Sequence, residues 1–137
     1  MRNASFLIGL CLMLALGLNG IAVQRNHADI MQEVSTVRRA LQASIEGGNS
    51  AVAAMEAEKL EGLFREALPI YQGMNLEAAV MIASRAAAAA AEALAAANAD
   101  NMEAAGTAHG SVQKACGNCH LQFREKAPDG SFRFKAQ

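Results

Sequence analysis

At 137 residues the chain has room for one domain at most. Its 12 basic and 13 acidic side chains leave it close to neutral, which implies neither a nucleic acid nor an anionic membrane surface as a partner. The apolar fraction of 53% is rich in alanine and contains no tryptophan, so few bulky side chains are available to fill a core and another source of buried apolar area is needed.

Residues 1–22 read as an export signal. Arg2 gives a short positive start, Phe6 to Leu18 is an apolar run, and Gly20-Ile21-Ala22 offers the small residues of a cleavage site. Two outcomes stay open: cleavage after Ala22, or retention as a membrane anchor, since Phe6 to Val23 approaches the minimum length of a spanning helix. Asn19 and Gly20 near its end favour cleavage. The remaining domain, residues 23–137, keeps eleven basic residues against thirteen acidic ones and is mildly acidic.

A first helix is expected from about Gln24 to Glu46, with Ile30, Met31, Val34, Val37, Leu41 and Ile45 on one stripe and Glu33, Arg38 and Arg39 mostly on the other side. Gly47-Gly48 stops it. Asn49 or Ser50 caps a second helix through about Ala67, ended by Pro69. Ile70 to Met74 is then a connection, and Asn75 caps a third helix with Glu77 in its first turn.

The centre of the third helix, Ala86 to Ala91, is unbroken alanine. Low-complexity drift explains such a run as well as a packing role does, in which small side chains admit a neighbouring helix or a flat cofactor. Asp100 or Asn101, with Glu103, starts a fourth helix that runs to about Lys126, where Pro128-Asp129-Gly130 ends it. In the tail, Phe132 and Phe134 alternate with Arg133 and Lys135; it either folds back over an apolar edge or frays. Four helices, each apolar on one stripe and joined by short connections, predict an all-α, antiparallel four-helix bundle. No strand or internal repeat competes with that reading.

Within the fourth helix lies Cys116-Gly117-Asn118-Cys119-His120. Cys-x-x-Cys-His is the attachment sequence of a c-type haem: two thiols add across the haem vinyl groups and the adjacent imidazole becomes the proximal iron ligand. On a helix, positions i, i+3 and i+4 share a face, so all three side chains can reach one porphyrin edge. A zinc site would need about four ligands, and the only other cysteine is Cys11 in the apolar N-terminal stretch. A thioredoxin-like centre would need a surrounding βαβ pattern, which is absent. One covalent haem c is therefore expected near the C-terminus. Export agrees with it, because c-type haem is attached outside the bacterial cytoplasm, which places the protein in the periplasm.

Four helices, a haem motif near the C-terminus and Phe123-Arg124 directly after it resemble the class II cytochromes c, the group that includes cytochrome c′ and its low-spin relatives. The resemblance implies a left-handed bundle with His120 as proximal ligand near the surface and Arg124 close to it. On the sequence alone, a solvated Arg124 pairing with Glu125 or a haem propionate serves equally well. The resemblance also places the distal position on the first helix, where Met31 aligns. A methionine there gives a six-coordinate, low-spin iron and suits electron transfer, whereas a non-coordinating residue leaves the iron open to small gases. Met31 as core filler is the competing reading. His27, one turn earlier on the same face, is the alternative ligand, and it stands where the family often has an arginine. His109 is about three turns from His120 on the same helix and is a poorer candidate. Met55, Met74, Met81 and Met102 read as core or loop.

The leading functional expectation is a periplasmic electron-transfer cytochrome with iron held by His120 and Met31. The alternative is a five-coordinate protein binding nitric oxide or carbon monoxide, with Met31 as a steric gate. A haem-anchored structural or sensory module is a third class, favoured if the N-terminal segment is retained. Nothing in the spacing suggests an enzyme. The expected partner is a redox protein, acidic if the basic residues around the haem motif form its docking end. A membrane enters only through an uncleaved N-terminal segment, and a homodimer is compatible with the apolar stripes.

Overall fold

The computed structural model describes residues 25–135, so the signal or anchor segment lies outside the described residues. Four helices pack against one another: α1 (His27–Glu46), α2 (Ser50–Gly73), α3 (Glu77–Asn98) and α4 (Met102–Phe123). A short antiparallel ribbon follows, formed by β1 (Arg124–Lys126) and β2 (Phe132–Phe134).

The Asn26 side chain accepts the backbone N–H of Asp29 and so starts α1. Ile30, Val34, Val37 and Leu41, spaced by four, three and four residues, are the buried face of that helix. Just ahead of α1, Arg25 bridges to Glu33 and to Glu66 of α2, and Lys59 of α2 also pairs with Glu33 at 2.8 Å. The Lys59 and Arg25 hydrogen bonds pull the Glu33 carboxyl down to about 2, and the entry of α1 is tied to α2.

The second helix does not end before Pro69 but runs through it to Gly73. An interior proline costs about 3 kcal/mol. Against that, Leu63, Phe64, Ala67 and Tyr71 form one continuous buried face on either side of it, and a fully buried large side chain contributes about 1.5–3 kcal/mol. Pro69 itself is exposed. The segment expected as a connection is thus the last turn of α2.

The three helix-to-helix turns share one construction. Gly48, Asn75 and Asp100 adopt φ of 68°, 56° and 57°, the left-handed conformation that glycine, asparagine and aspartate tolerate best. In each turn the next residue's N–H returns to a carbonyl five residues earlier: Asn49 to Ser44, Leu76 to Tyr71 and Asn101 to Ala96. That is the Schellman pattern, and its closing residue is also the first cap of the following helix. Asn49 and Asn101 accept N–H groups of Val52 and Ala104 with their side chains. Asn75 does not cap α3 as the sequence suggested. Its left-handed φ is spent ending α2, and the capping position falls to buried Leu76, which offers no side-chain bond.

Large side chains are scarce in the core: among the described residues, only Ile30, Leu41, Leu60 and Val112 are large and fully buried. Alanine fills the remainder: Ala79, Ala83, Ala86, Ala90 and Ala93 of α3 all face inward. Small side chains let α3 lie close to both α2 and α4, its two extensive contacts, while the contact between α1 and α4 is much smaller.

α4 stops at Phe123 rather than Lys126, and the tail folds back instead of fraying. Pro128-Asp129-Gly130 makes a hairpin turn, with the Asp129 carboxylate accepting from the Ser131 N–H at 2.9 Å and Gly130 at φ 86°. Arg124 pairs with Phe134 and Lys126 with Phe132. The expectation of no strand is corrected by this ribbon, since three residues of alternation are too short to register as a strand until the turn brings them together. Phe134 then packs on His27, with ring centroids 4.7 Å apart.

Candidate functional site

Where α1 and α4 do touch, the contact is at one end. Gln113 donates to Gln42 at 3.5 Å, and a Cβ on Gly106 would stand 3.7 Å from Ile45. Toward the other end a cleft of about 390 Å³ opens among the four helices.

α4 supplies one wall of that cleft: Ala115, Cys116, Cys119 and His120. α1 supplies Met31, Val34, Ser35 and Arg38, while Phe64 and Tyr71 come from α2. α3 contributes Ile82, Ala83 and Ala86. The alanine run therefore has a packing role here, because Ala86 at its start, with Ala83 one turn earlier, leaves the volume that larger side chains would fill. Residues 31 and 120 are far apart in sequence and come from different helices, yet both line the same space. The cleft fits a flat, mostly apolar group held by two sulfur atoms, with one imidazole and one thioether nearby. It is lined by one fixed cation, Arg38.

Both cysteines are free thiols, half-buried, and burial pushes both up from the usual thiol range. A redox-active Cys-x-x-Cys has the opposite character, a thiolate stabilised at a helix N-terminus. Here the pair sits in the last turns of α4, where the helix dipole disfavours negative charge. No three His, Cys, Asp or Glu residues come together as a metal-binding group among the described residues. His120 is held below the ordinary histidine range, first by burial and then by the charge of Arg124. A neutral imidazole with a free lone pair is the ligating form.

The other sequence candidates fall outside the cleft. His27 is not on its lining but shares a 2.9 Å hydrogen bond with the hydroxyl of Tyr71 through Nε2. Burial pushes Tyr71 up and His27 down, so both are neutral. His27 thus anchors Tyr71, which does line the cleft, and Phe134 covers it. Arg124 leaves the helix as the first ribbon residue and lies with its guanidinium 4.2 Å from the Phe132 ring centroid. Glu125 pairs with Arg133 instead, at 2.8 Å. Met55 and Met81 are exposed on helix surfaces, neither core nor loop, and Met74 is exposed at a turn.

Arg38 was expected on the outer side of α1, and the structure corrects that. It is half-buried and lines the cleft. Its position, seven residues and two turns beyond Met31, carries the same phase as Met31; that spacing was the signal available in the sequence.

His109 lies at the closed end of the α1–α4 contact. It is 5% exposed, and its Nε2 has no hydrogen-bond partner. Burial holds it below the usual histidine range, outweighing the Arg38 backbone bond that works the other way; the Arg38 charge adds to the lowering and Glu46 opposes it. A histidine depressed in the fold is a proton acceptor chiefly when unfolded. Its stabilising effect is therefore present above the unfolded value near 6.5 and is lost as pH falls toward the folded one. His109→Leu, which keeps the volume and removes the orphan nitrogen, is expected to flatten the fall in melting temperature between pH 7 and pH 5, measured by circular dichroism.

Set against family models, curated proteins and solved structures, the chain matches none.

Proposed function

We propose that the chain is a c-type cytochrome of the class II kind, an antiparallel four-helix bundle that transfers single electrons in the bacterial periplasm. The observation supporting this most is the cleft that Cys116, Cys119, His120 and Met31 line together. Cys116 and Cys119 would hold one haem as thioethers, each S–H adding across a vinyl group so that sulfur bonds one carbon and hydrogen the other. When bound, the haem supplies a ferrous/ferric couple. His120 and Met31 would supply the protein ligands to its iron. Arg38 offers the cation nearest to hand for a propionate, and Tyr71, fixed by His27, closes the cleft on the α2 side. No residue in this reading performs bond-making on a substrate, and none is assigned a catalytic role.

Co-expression with a haem-attachment system tests the proposal. The expected product carries one haem per chain that acid and organic solvent fail to extract, and its ferric spectrum is low-spin with a weak sulfur-to-iron charge-transfer band. A Cys116→Ala/Cys119→Ala protein should lose the covalent haem entirely. If the unaltered protein is isolated without covalent haem, the reading fails. A high-spin ferric spectrum would retain the haem but reject electron transfer through a His120/Met31 pair in favour of the gas-binding alternative.

A further inference from the structure

Helix α1 packs far more on α2 than on α4, and its contacts with α4 at Gln42–Gln113 and Ile45–Gly106 lie in its second half. Met31 is in the first half, one turn from the helix start and half-buried on the cleft wall. Helix ends fray, and a methionine side chain has three rotatable bonds. Its place on that wall therefore depends on what fixes the backbone beneath it.

Two sets of contacts hold this stretch. Ahead of the helix, Arg25 bridges to Glu33 and to Glu66, which joins α1 to α2 through partly exposed ion pairs that weaken with salt. The second set reaches the α4 side. His27, four residues before Met31 and on the same face of α1, has its ring centred 5.4 Å from Tyr71 of α2 and 4.7 Å from Phe134 of the ribbon, and Tyr71 and Phe134 are 6.2 Å apart. These are separations at which tilted and edge-on aromatic pairs attract. The 2.9 Å hydrogen bond between His27 Nε2 and the Tyr71 hydroxyl fixes one side of the triangle.

Phe134 is itself fixed to α4. It is the cross-strand partner of Arg124, the first residue beyond that helix, and the N–H of Lys135 donates to the Phe123 carbonyl at 2.8 Å. His120 lies one turn before Phe123. The three rings thus connect the helix end just past His120 with the helix start just before Met31.

We infer that Phe134 is a positioning residue for Met31: packed on His27, it holds the first turns of α1 to the end of α4 and so keeps the thioether on the cleft wall. The inference rests on the proposed function, in which Met31 ligates the iron. It gives the C-terminal ribbon, which carries no ligand of its own, a share in deciding between a six-coordinate and an open iron. Phe132, on the same ribbon, is 61% exposed and lies against Arg124, which makes it the control.

Holoprotein of the parent is compared with Phe134→Ala, Phe134→Tyr and Phe132→Ala. In Phe134→Ala the covalent haem should remain, the sulfur-to-iron band should weaken, and the apparent affinity of the ferric iron for added imidazole should rise roughly two- to tenfold, the worth of one aromatic pair. Phe134→Tyr, which keeps the ring, and Phe132→Ala should both match the parent. Amide hydrogen exchange on the same samples should quicken in residues 30–36 of Phe134→Ala alone, while residues 38–46 keep their rates. A parent without the sulfur-to-iron band overturns the His120/Met31 reading and the positioning role with it. A parent with the band, whose Phe134→Ala form binds imidazole no better than Phe132→Ala, overturns the positioning role alone, even if its melting temperature falls. Equal exchange in Phe134→Ala and Phe132→Ala overturns the hold on α1 whatever the iron does.

Discussion

Replacing Met31 with alanine in the haem-loaded protein is expected to convert a low-spin ferric spectrum to a high-spin one. The sulfur-to-iron band should vanish and carbon monoxide should bind where it did not before. Met31 is half-buried and lines the cleft from α1, while His120 lines it from α4, so the thioether is the side chain whose loss opens a coordination position. Removing it also lowers the reduction potential, because a methionine ligand raises it. The packing cost is modest: a methionine to alanine change in a core costs about 2–5 kcal/mol, and partial burial puts this one near 2 kcal/mol. Loss of that stability without any change in spin state would show that Met31 only packs. Optical spectra and thermal melts on the same samples separate the two.

A second substitution probes the opposite wall. Ala86 is 1% exposed and lines the cleft, so Ala86→Phe drives a ring into the volume that the proposed haem would occupy. Covalent haem per chain is expected to fall several-fold, and whatever haem is attached should sit in a protein destabilised by about 1–3 kcal/mol through overpacking. In a Cys116→Ala/Cys119→Ala background, where no haem is attached, the same ring fills a void, and the melting temperature should hold or rise. Ala88→Phe, at an exposed position of the same alanine run, should leave haem content unchanged. If the two variants behave alike, the alanines are interchangeable helix formers and the cleft is not a cofactor site.

Much of the architecture was legible because its signals are local. Apolar positions at helical spacing located α1 and α4 to within a few residues, and Gly47-Gly48 marked the first stop. Pro69 misled, because a proline's local cost is visible in sequence whereas the buried face of Leu63, Phe64, Ala67 and Tyr71 that outweighs it exists only once α1 and α3 are in place. Asn75 misled for a related reason. Asparagine serves both helix starts and left-handed helix ends, and only the hydrogen bonds from Asn75 and Leu76 back to α2 decide between them.

The motif Cys116-x-x-Cys119-His120 was legible as one helical face, because three residues at i, i+3 and i+4 need nothing beyond their spacing. The sequence by itself determined four helices, the thiols and the imidazole. Tertiary structure alone decided what faces them: Met31 rather than His27 on the cleft wall, Arg38 turned inward, and Tyr71 held by His27 beneath Phe134. Those choices depend on how far α1 stands from α4 and on its rotation about its own axis. Both are set by the summed packing of alanine-rich neighbours, which no single stretch of chain encodes.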